Sequence, residues 1–298
     1  MIPKCFIQTW KTRTIPRRYR AFQRRLRKLH PDYEFRFFAD DEVESFVRRE
    51  YPEFSEAYDA LPDVISRIDL FRLLAVHKHG GFYLDIDVLP HKPFDELLNH
   101  HAVFPFERYA DPFFAARYGT LEMIGQYAFG AEPGHPFLMA CAENIRKVAL
   151  EPDSLRLPSS SDLASLPEIM GNAHSFRVLY TAGPGMVTRT FIESPESRGG
   201  LKLIAALDER NPELVRKVTL SFGNFASHQV TGSWLTGMPL REIILVRLVA
   251  RLVHRRNARL LRNAAPATSS ELVTVDCLCR EAGVAAVNPS VRSAGAGR

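Results

Sequence analysis

Asp85-Ile86-Asp87 puts two carboxylates two residues apart, a spacing that turns both to one face of an extended strand. Such a pair can share one divalent cation, Mg²⁺ or Mn²⁺, whose other octahedral positions go to phosphate oxygens and water. An ion held this way neutralises the charge that develops on a departing diphosphate. About one Asp-x-Asp arises by chance in a chain of 298 residues, so the pair alone fits a solvated strand end equally well. Its surroundings add weight. Asp69 and Arg72 lie three residues apart on a helical pattern just upstream. They share a face and suit sugar or ribose hydroxyls and a phosphate, or a plain surface ion pair.

The elements that must carry these side chains follow from periodicity. Cys5 to Trp10 reads as a strand, and Pro16 opens a basic helix whose Tyr19, Phe22, Leu26 and Leu29 recur at helical spacing. Tyr33 to Phe38 alternates as a strand, and Asp40-Asp41 is placed to cap a helix from Glu42 to Tyr51. Val64 to His79 is a further helix, stopped by Gly80-Gly81, with a strand from Phe82 to Leu89 following at once. This alternation predicts an α/β domain with a mostly parallel central sheet, where ligands collect at the carboxyl ends of strands. Farther on, Tyr127 to Ala131 and Leu179 to Ala182 suit strands, Pro136 to Val148 a helix, and Ser154 to Pro167 a polar loop.

Composition sets the limits. The chain is 46% hydrophobic and 24% charged, enough for one substantial core. The expected division is a catalytic domain over 1–239, a basic amphipathic helix over 240–263 and a disordered tail over 264–298, where Ala, Ser, Gly, Pro and Thr dominate. Met1 is followed by Pro3-Lys4 rather than an apolar leader, which gives a cytoplasmic expectation. Cys5, Cys141, Cys277 and Cys279 lack metal or redox spacing and read as reduced thiols. The net charge of +5 is concentrated in Arg17 to Lys28 and Arg241 to Arg262. It suits phosphates or lipid headgroups, and no base-reading motif argues for nucleic acid.

Taken together, Ser66-Arg-Ile-Asp69-Leu-Phe-Arg72 … Gly80-Gly81-Phe-Tyr83-Leu-Asp85-Ile-Asp87 resembles the sugar-nucleotide signature of glycosyltransferase family 32. That family includes yeast Golgi mannosyltransferases and shares its signature with the glucosylating domains of clostridial toxins. Gln8-Thr-Trp10 resembles the family's first strand, with Ile7 where the family usually has His. Gly130 to Pro136, Thr181-Ala-Gly183-Pro184-Gly185 and His228 to Trp234 agree in order, so the resemblance runs from Ile2 to about Leu235.

The resemblance implies a GT-A type nucleotide-diphospho-sugar transferase fold and a metal-dependent hexosyltransferase. Asp85 and Asp87 would reach ribose and metal, and Asp69 and Arg72 would hold donor hydroxyls. Trp10 would lie at the nucleotide base, and Gln8, Tyr83, Gly183, Pro184, Ser233 and Trp234 would complete the donor site. His228 would add an imidazole to the metal. The donor would be a nucleotide-diphosphate sugar carrying mannose, glucose or galactose, and the acceptor a glycan or a lipid-linked sugar. The family's retaining chemistry implies attack on the face from which diphosphate leaves. Taken singly, Trp10 fits a core aromatic and His228 a structural imidazole.

Leu240 to Leu261 mixes Ile243, Leu245, Val249, Leu252 and Val253 with Arg247, Arg251, Arg255, Arg259 and Arg262. This suits either an interfacial helix on an anionic membrane, over 240–262, or a helix packed on the domain with a solvated basic face. Two other functions fit less well. A haloacid-dehalogenase-type phosphatase also uses Asp-x-Asp, but Asp85-Ile-Asp87-Val-Leu-Pro lacks the Gly-Thr that follows in that class. A non-catalytic sugar-nucleotide or glycan-binding module would not need a complete metal motif.

Overall fold

The computed structural model describes residues 1–108, 122–152, 178–205, 221–229 and 272–273. β1 (Cys5–Thr9) pairs in parallel with β2 (Glu34–Phe38), and the chain crosses between them through α1 (Arg17–Leu29). α2 (Asp40–Glu50), α3 (Ser55–Ala60) and α4 (Val64–His79) then carry it to β3 (Gly81–Leu84), parallel to β1 on its other side. β4 (Val88–Pro90), β5 (Ala102–Arg108), β6 (Glu122–Ile124), β7 (Ala128–Ala131) and α5 (Pro136–Leu150) follow. The described elements end with α6 (Pro184–Glu193), β8 (Leu201–Ala205), β9 (Ser221–Phe222), β10 (Ala226–His228) and β11 (Leu272–Val273).

The main sheet has the order β11-β8-β5-β7-β3-β1-β2, with β6 on β5, and a second sheet has the order β4-β10-β9. In the main sheet β2, β1, β3, β5 and β8 run one way. β7 reverses between β3 and β5, and β6 and β11 run against their neighbours. The expectation of α/β architecture on a mostly parallel sheet is met in this sense.

Alternation along the strands divides the core in two. Cys5, Ile7, Tyr83, Phe104 and Phe129 face one side with α4, α5 and α6. Phe6, Phe82, Leu84 and Val103 face the other, where Leu26 of α1 and Phe94 cover them. α4 is buried on all sides over Asp69–Val76, which is why its sequence shows little amphipathicity.

Three local expectations are corrected. α2 begins at Asp40, and its cap is Ala39, whose N–H donates to the Glu42 carboxylate at 2.8 Å; Asp40 and Asp41 lie in the first turn, where their charge suits the helix dipole. The single strand from Phe82 to Leu89 is divided into β3 and β4 by a turn. Residues 178–181 are helical rather than a strand. Leu272–Val273, within the stretch expected to be a tail, pairs antiparallel with β8. The 154–167 loop, the 240–263 helix, Cys277 and Cys279 lie outside the described residues. Cys5 and Cys141 are buried free thiols. Among the described residues, no helix is long and apolar enough to cross a membrane.

The α4–β3 joint fixes the approach to Asp85. Asp63 caps α4 by accepting from the Ser66 N–H at 2.7 Å, and Gly80 and Gly81 leave it with φ of 66° and 90°. A Cβ on Gly81 would fall onto the Cys5 carbonyl oxygen of the neighbouring strand. Gly81→Ala therefore combines left-handed strain with a backbone clash and should destabilise the fold by about 3 kcal/mol. Denaturant unfolding checks this, with the midpoint falling sharply at unchanged m-value.

Candidate functional site

β3 ends at Leu84 because its antiparallel partner β7 begins at Ala128. The next N–H, that of Asp85, donates to the Tyr127 carbonyl at 2.7 Å. Asp85-Ile-Asp87-Val88 then closes a turn, with the Val88 N–H donating to the Asp85 carbonyl at 3.0 Å. The two carboxylates thus converge by a turn, not by the alternation of one strand. β4 leaves the turn to pair antiparallel with β10, which sets His228 opposite Val88. Asp87 accepts the Gln229 N–H on its carbonyl at 3.1 Å, so the two segments are tied at the acidic pair.

This places His228 Nε2 3.0 Å from Asp87 Oδ1. The imidazole lies flat on the Tyr127 ring, with centroids 4.9 Å apart and planes 9° from parallel. One ligand atom from each of Asp85, Asp87 and His228 falls within 4.8 Å of the others. Two carboxylate oxygens and one imidazole nitrogen suit Mn²⁺, which accepts both donor types, and also Mg²⁺ with water and phosphate completing the shell.

Behind the acidic pair lies a buried charged layer. Arg72 and Asp69, three apart on α4, pair at 2.8 Å with side chains only 7% and 4% exposed. Arg72 Nη1 also donates to the Gln126 carbonyl at 2.9 Å and stands 3.4 Å from Asp85 Oδ1. Its guanidinium lies over the Tyr83 ring at 4.6 Å. The Tyr83 hydroxyl donates to Asp85 Oδ1 at 2.9 Å and meets the Thr9 hydroxyl at 3.1 Å.

Burial dominates the electrostatics of this layer. It pushes the Asp69 carboxyl up to about 7, against the pull of Arg72. It also raises Asp85, again opposed by Arg72 and by His228, while the neighbouring Asp87 charge adds to the rise. Burial disfavours the Arg72 charge, but Asp85, Tyr83 and Asp69 together outweigh it and hold the guanidinium more firmly protonated than usual. A cation at the acidic pair would favour ionised Asp85 and Asp87 in the same way.

The other expected residues are placed less uniformly. Gln8 is buried at the end of β1 and accepts from the Gln23 amide at 3.2 Å. Trp10, half-buried, meets the edge of Tyr19 at 5.3 Å. Gly183 caps α6 with Pro184 in its first turn, and the Gln126 amide joins this segment to the Arg72 layer by donating to the Ala182 carbonyl at 3.2 Å. Ser233 and Trp234 lie outside the described residues.

Three site neighbours escaped the sequence reading: Thr9, Gln126 and Tyr127. Gln126 and Tyr127 supply backbone carbonyls, which any residue offers, and the side-chain contacts they add, Gln126 to Ala182 and Tyr127 to His228, reach residues far off in sequence, so no local pattern marks them. Thr9 stands inside Gln8-Thr-Trp10, where its hydroxyl was a signal within reach.

Residues 16–104 match the family model described as a glycosyltransferase sugar-binding region containing a DXD motif. Similar curated proteins include inositol phosphoceramide mannosyltransferase 3 of Schizosaccharomyces pombe, 35% identical over 148 residues, which are 50% of this chain and 38% of that protein. The initiation-specific alpha-1,6-mannosyltransferase of Candida albicans is 26% identical over 210 residues, covering 64% of this chain and 52% of its own. The chain thus spans about half or less of these relatives. The PaToxG glycosyltransferase structure overlays with a TM-score of 0.41 and 16% identity, over 65% of this chain and 70% of its own.

Proposed function

We propose that this protein is a metal-dependent hexosyltransferase. It moves mannose, glucose or galactose from a nucleotide-diphosphate sugar to a glycan or glycolipid acceptor, with retention at the anomeric carbon. The observation that carries the reading is the convergence of Asp85 and Asp87, both within the matched region, with His228 from beyond it, in front of the buried Arg72–Asp69 pair. The names of the two relatives favour mannose and include a phosphoinositol lipid acceptor.

In this reading Asp85, Asp87 and His228 hold Mn²⁺ or Mg²⁺, which supplies charge neutralisation for the leaving diphosphate. Arg72 and Tyr83 act on Asp85: each reaches Oδ1, so together they fix the carboxylate that Asp87 must meet. Asp69 uses its remaining acceptor capacity toward donor hydroxyls, while Arg72 holds its other side. Trp10 and Gln8 border the nucleotide, and Gly183-Pro184 faces the sugar side. The acceptor hydroxyl attacks an oxocarbenium-like carbon, and its proton passes to the departing phosphate, which needs no dedicated protein base.

A thermal-shift panel of GDP-mannose, UDP-glucose and UDP-galactose, each with and without Mn²⁺, tests the reading. One donor should raise the melting temperature only when Mn²⁺ is present, because a ligand that binds the native state stabilises it by mass action. No shift with any donor, or equal shifts after chelation, would refute it.

A further inference from the structure

α1 carries Arg17, Arg18, Arg20, Arg24, Arg25, Arg27 and Lys28 and no acidic residue. This one helix therefore holds more positive charge than the whole chain's net +5. All seven cations are exposed, and at about 100° per residue they fill about half the helix circumference. The only other exposed residue of the helix is Ala21. The opposite side carries Tyr19 and Leu26, which are buried, and Phe22, Gln23 and Leu29, which are half-buried.

Among the described residues none of these seven cations forms an ion pair; the basic residues just outside the helix do, Arg13 with Glu42 and Lys4 with Asp32. Two of the seven lie over aromatic rings, Arg18 over Tyr19 at 4.5 Å and Arg27 over Phe35 at 4.2 Å. A face of like charges that repel one another and are not neutralised locally is costly for the fold unless an outside anion is met.

The helix is also firmly seated beside the candidate site. Arg25 Nε donates to the Pro90 carbonyl at 2.6 Å, in the strand that leaves Asp87. The Gln23 amide bonds Gln8, Trp10 packs on Tyr19, and the buried His30 at the C-cap joins the Leu26 carbonyl to the Phe94 N–H. The basic face therefore holds a fixed orientation relative to Asp85 and Asp87.

We propose that the exposed face of α1 docks the protein on an anionic lipid bilayer, holding the Asp85–Asp87 site at a set angle to the headgroups. The charge is spread along a helix about 20 Å long, which matches a plane of many phosphates better than a single small anion. The face has arginines for bidentate phosphate contacts and no exposed large apolar side chain, so the attachment is electrostatic and leaves the bilayer unpenetrated. This docking does not depend on which sugar or acceptor the site uses.

The test is co-sedimentation of the full chain with phosphatidylcholine vesicles and with vesicles containing added phosphatidylserine. Binding should need phosphatidylserine and weaken with salt. The combined Arg20→Glu, Arg24→Glu and Lys28→Glu variant, whose three positions lie along one line of the face, should lose at least tenfold in vesicle affinity. Circular dichroism should be unchanged, as should donor-dependent melting shifts and transfer to a soluble acceptor. The milder Arg20→Gln, Arg24→Gln and Lys28→Gln variant should fall between the two, which guards against misfolding.

A separate Arg251→Glu, Arg255→Glu and Arg259→Glu variant tests the second basic segment. Equal vesicle binding by wild type and the α1 variants overturns the proposal. So does binding lost only in the 251–259 variant, or capture by duplex DNA with none by phosphatidylserine vesicles.

Discussion

Asp87→Asn should remove Mn²⁺-dependent donor binding and lower transfer by at least about 10³-fold, while leaving the metal-free protein as stable as the wild type or more so. The activity figure follows from the several kcal/mol of transition-state charge stabilisation that a correctly held divalent ion supplies. The stability sign follows from the site. Asp85 and Asp87 are partly buried like charges at a shared turn, and the Asp87 charge raises the Asp85 carboxyl. Without a cation, their repulsion opposes folding. Asn keeps the shape and can still hydrogen-bond His228, now 3.0 Å from the carboxylate, but removes that repulsion. Activity falling while stability holds or rises is the mark of a site selected for chemistry over folding. Melting curves with and without Mn²⁺, beside transfer assays, measure both. If Asp87→Asn kept its Mn²⁺ shift, or if it unfolded the protein, the assignment of Asp87 to the metal would fail. His228→Ala should weaken Mn²⁺ more than Mg²⁺, since the latter relies less on nitrogen ligands.

The first half of the chain was far more legible than the second, for physical reasons. β1, α1, β2 and α4 have the periodicity or the caps that their burial demands, and Gly80-Gly81 marks the turn by its positive φ. The Asp-x-Asp turn was misread because Phe82, Leu84, Ile86 and Val88 keep strand alternation straight through it. Only the change of partner, from β7 to β10, breaks the strand, and a partner is not a local property. β5 was obscured by Pro105, which lacks a ladder donor yet sits within the strand. Leu179–Ala182 is too short an apolar run to separate helix from strand.

Within the site, Asp85, Asp87, His228, Asp69 and Arg72 were identifiable and do come together. Their depth was not. Asp69 and Arg72 are among the most buried charges described, whereas three-residue spacing on a helix suits an exposed pair equally well.

That depth gives Arg72 its consequence. Arg72→Ala would leave Asp69 buried without its cation and should destabilise the fold by about 3 kcal/mol or more. Arg72→Lys is the more informative change, because it keeps the charge and loses the planar fork. Arg72 uses separate nitrogens for Asp69, at 2.8 Å, and for Gln126 and Asp85, while its plane lies over Tyr83. A lysine ammonium cannot hold these groups in one plane, so Asp85 loses its fixed orientation. Transfer should fall by about 10²-fold, the scale of a misplacement near 1 Å, and more Mn²⁺ should be needed for half-maximal rate. A purely structural arginine would cost stability without moving the Mn²⁺ requirement.

The pH dependence gives an independent check on the same pair. Burial holds the Asp69 carboxyl up at about 7, above its unfolded value, so its contribution to stability is complete below about pH 4 and is lost as pH rises to about 7. Asp69→Asn has no proton to lose. The gap in denaturant midpoint between variant and wild type should shift in the variant's favour across that window and then level off. Parallel curves would mean that Arg72 keeps Asp69 ionised throughout, and that the desolvation of this pair is offset in the native state at every pH.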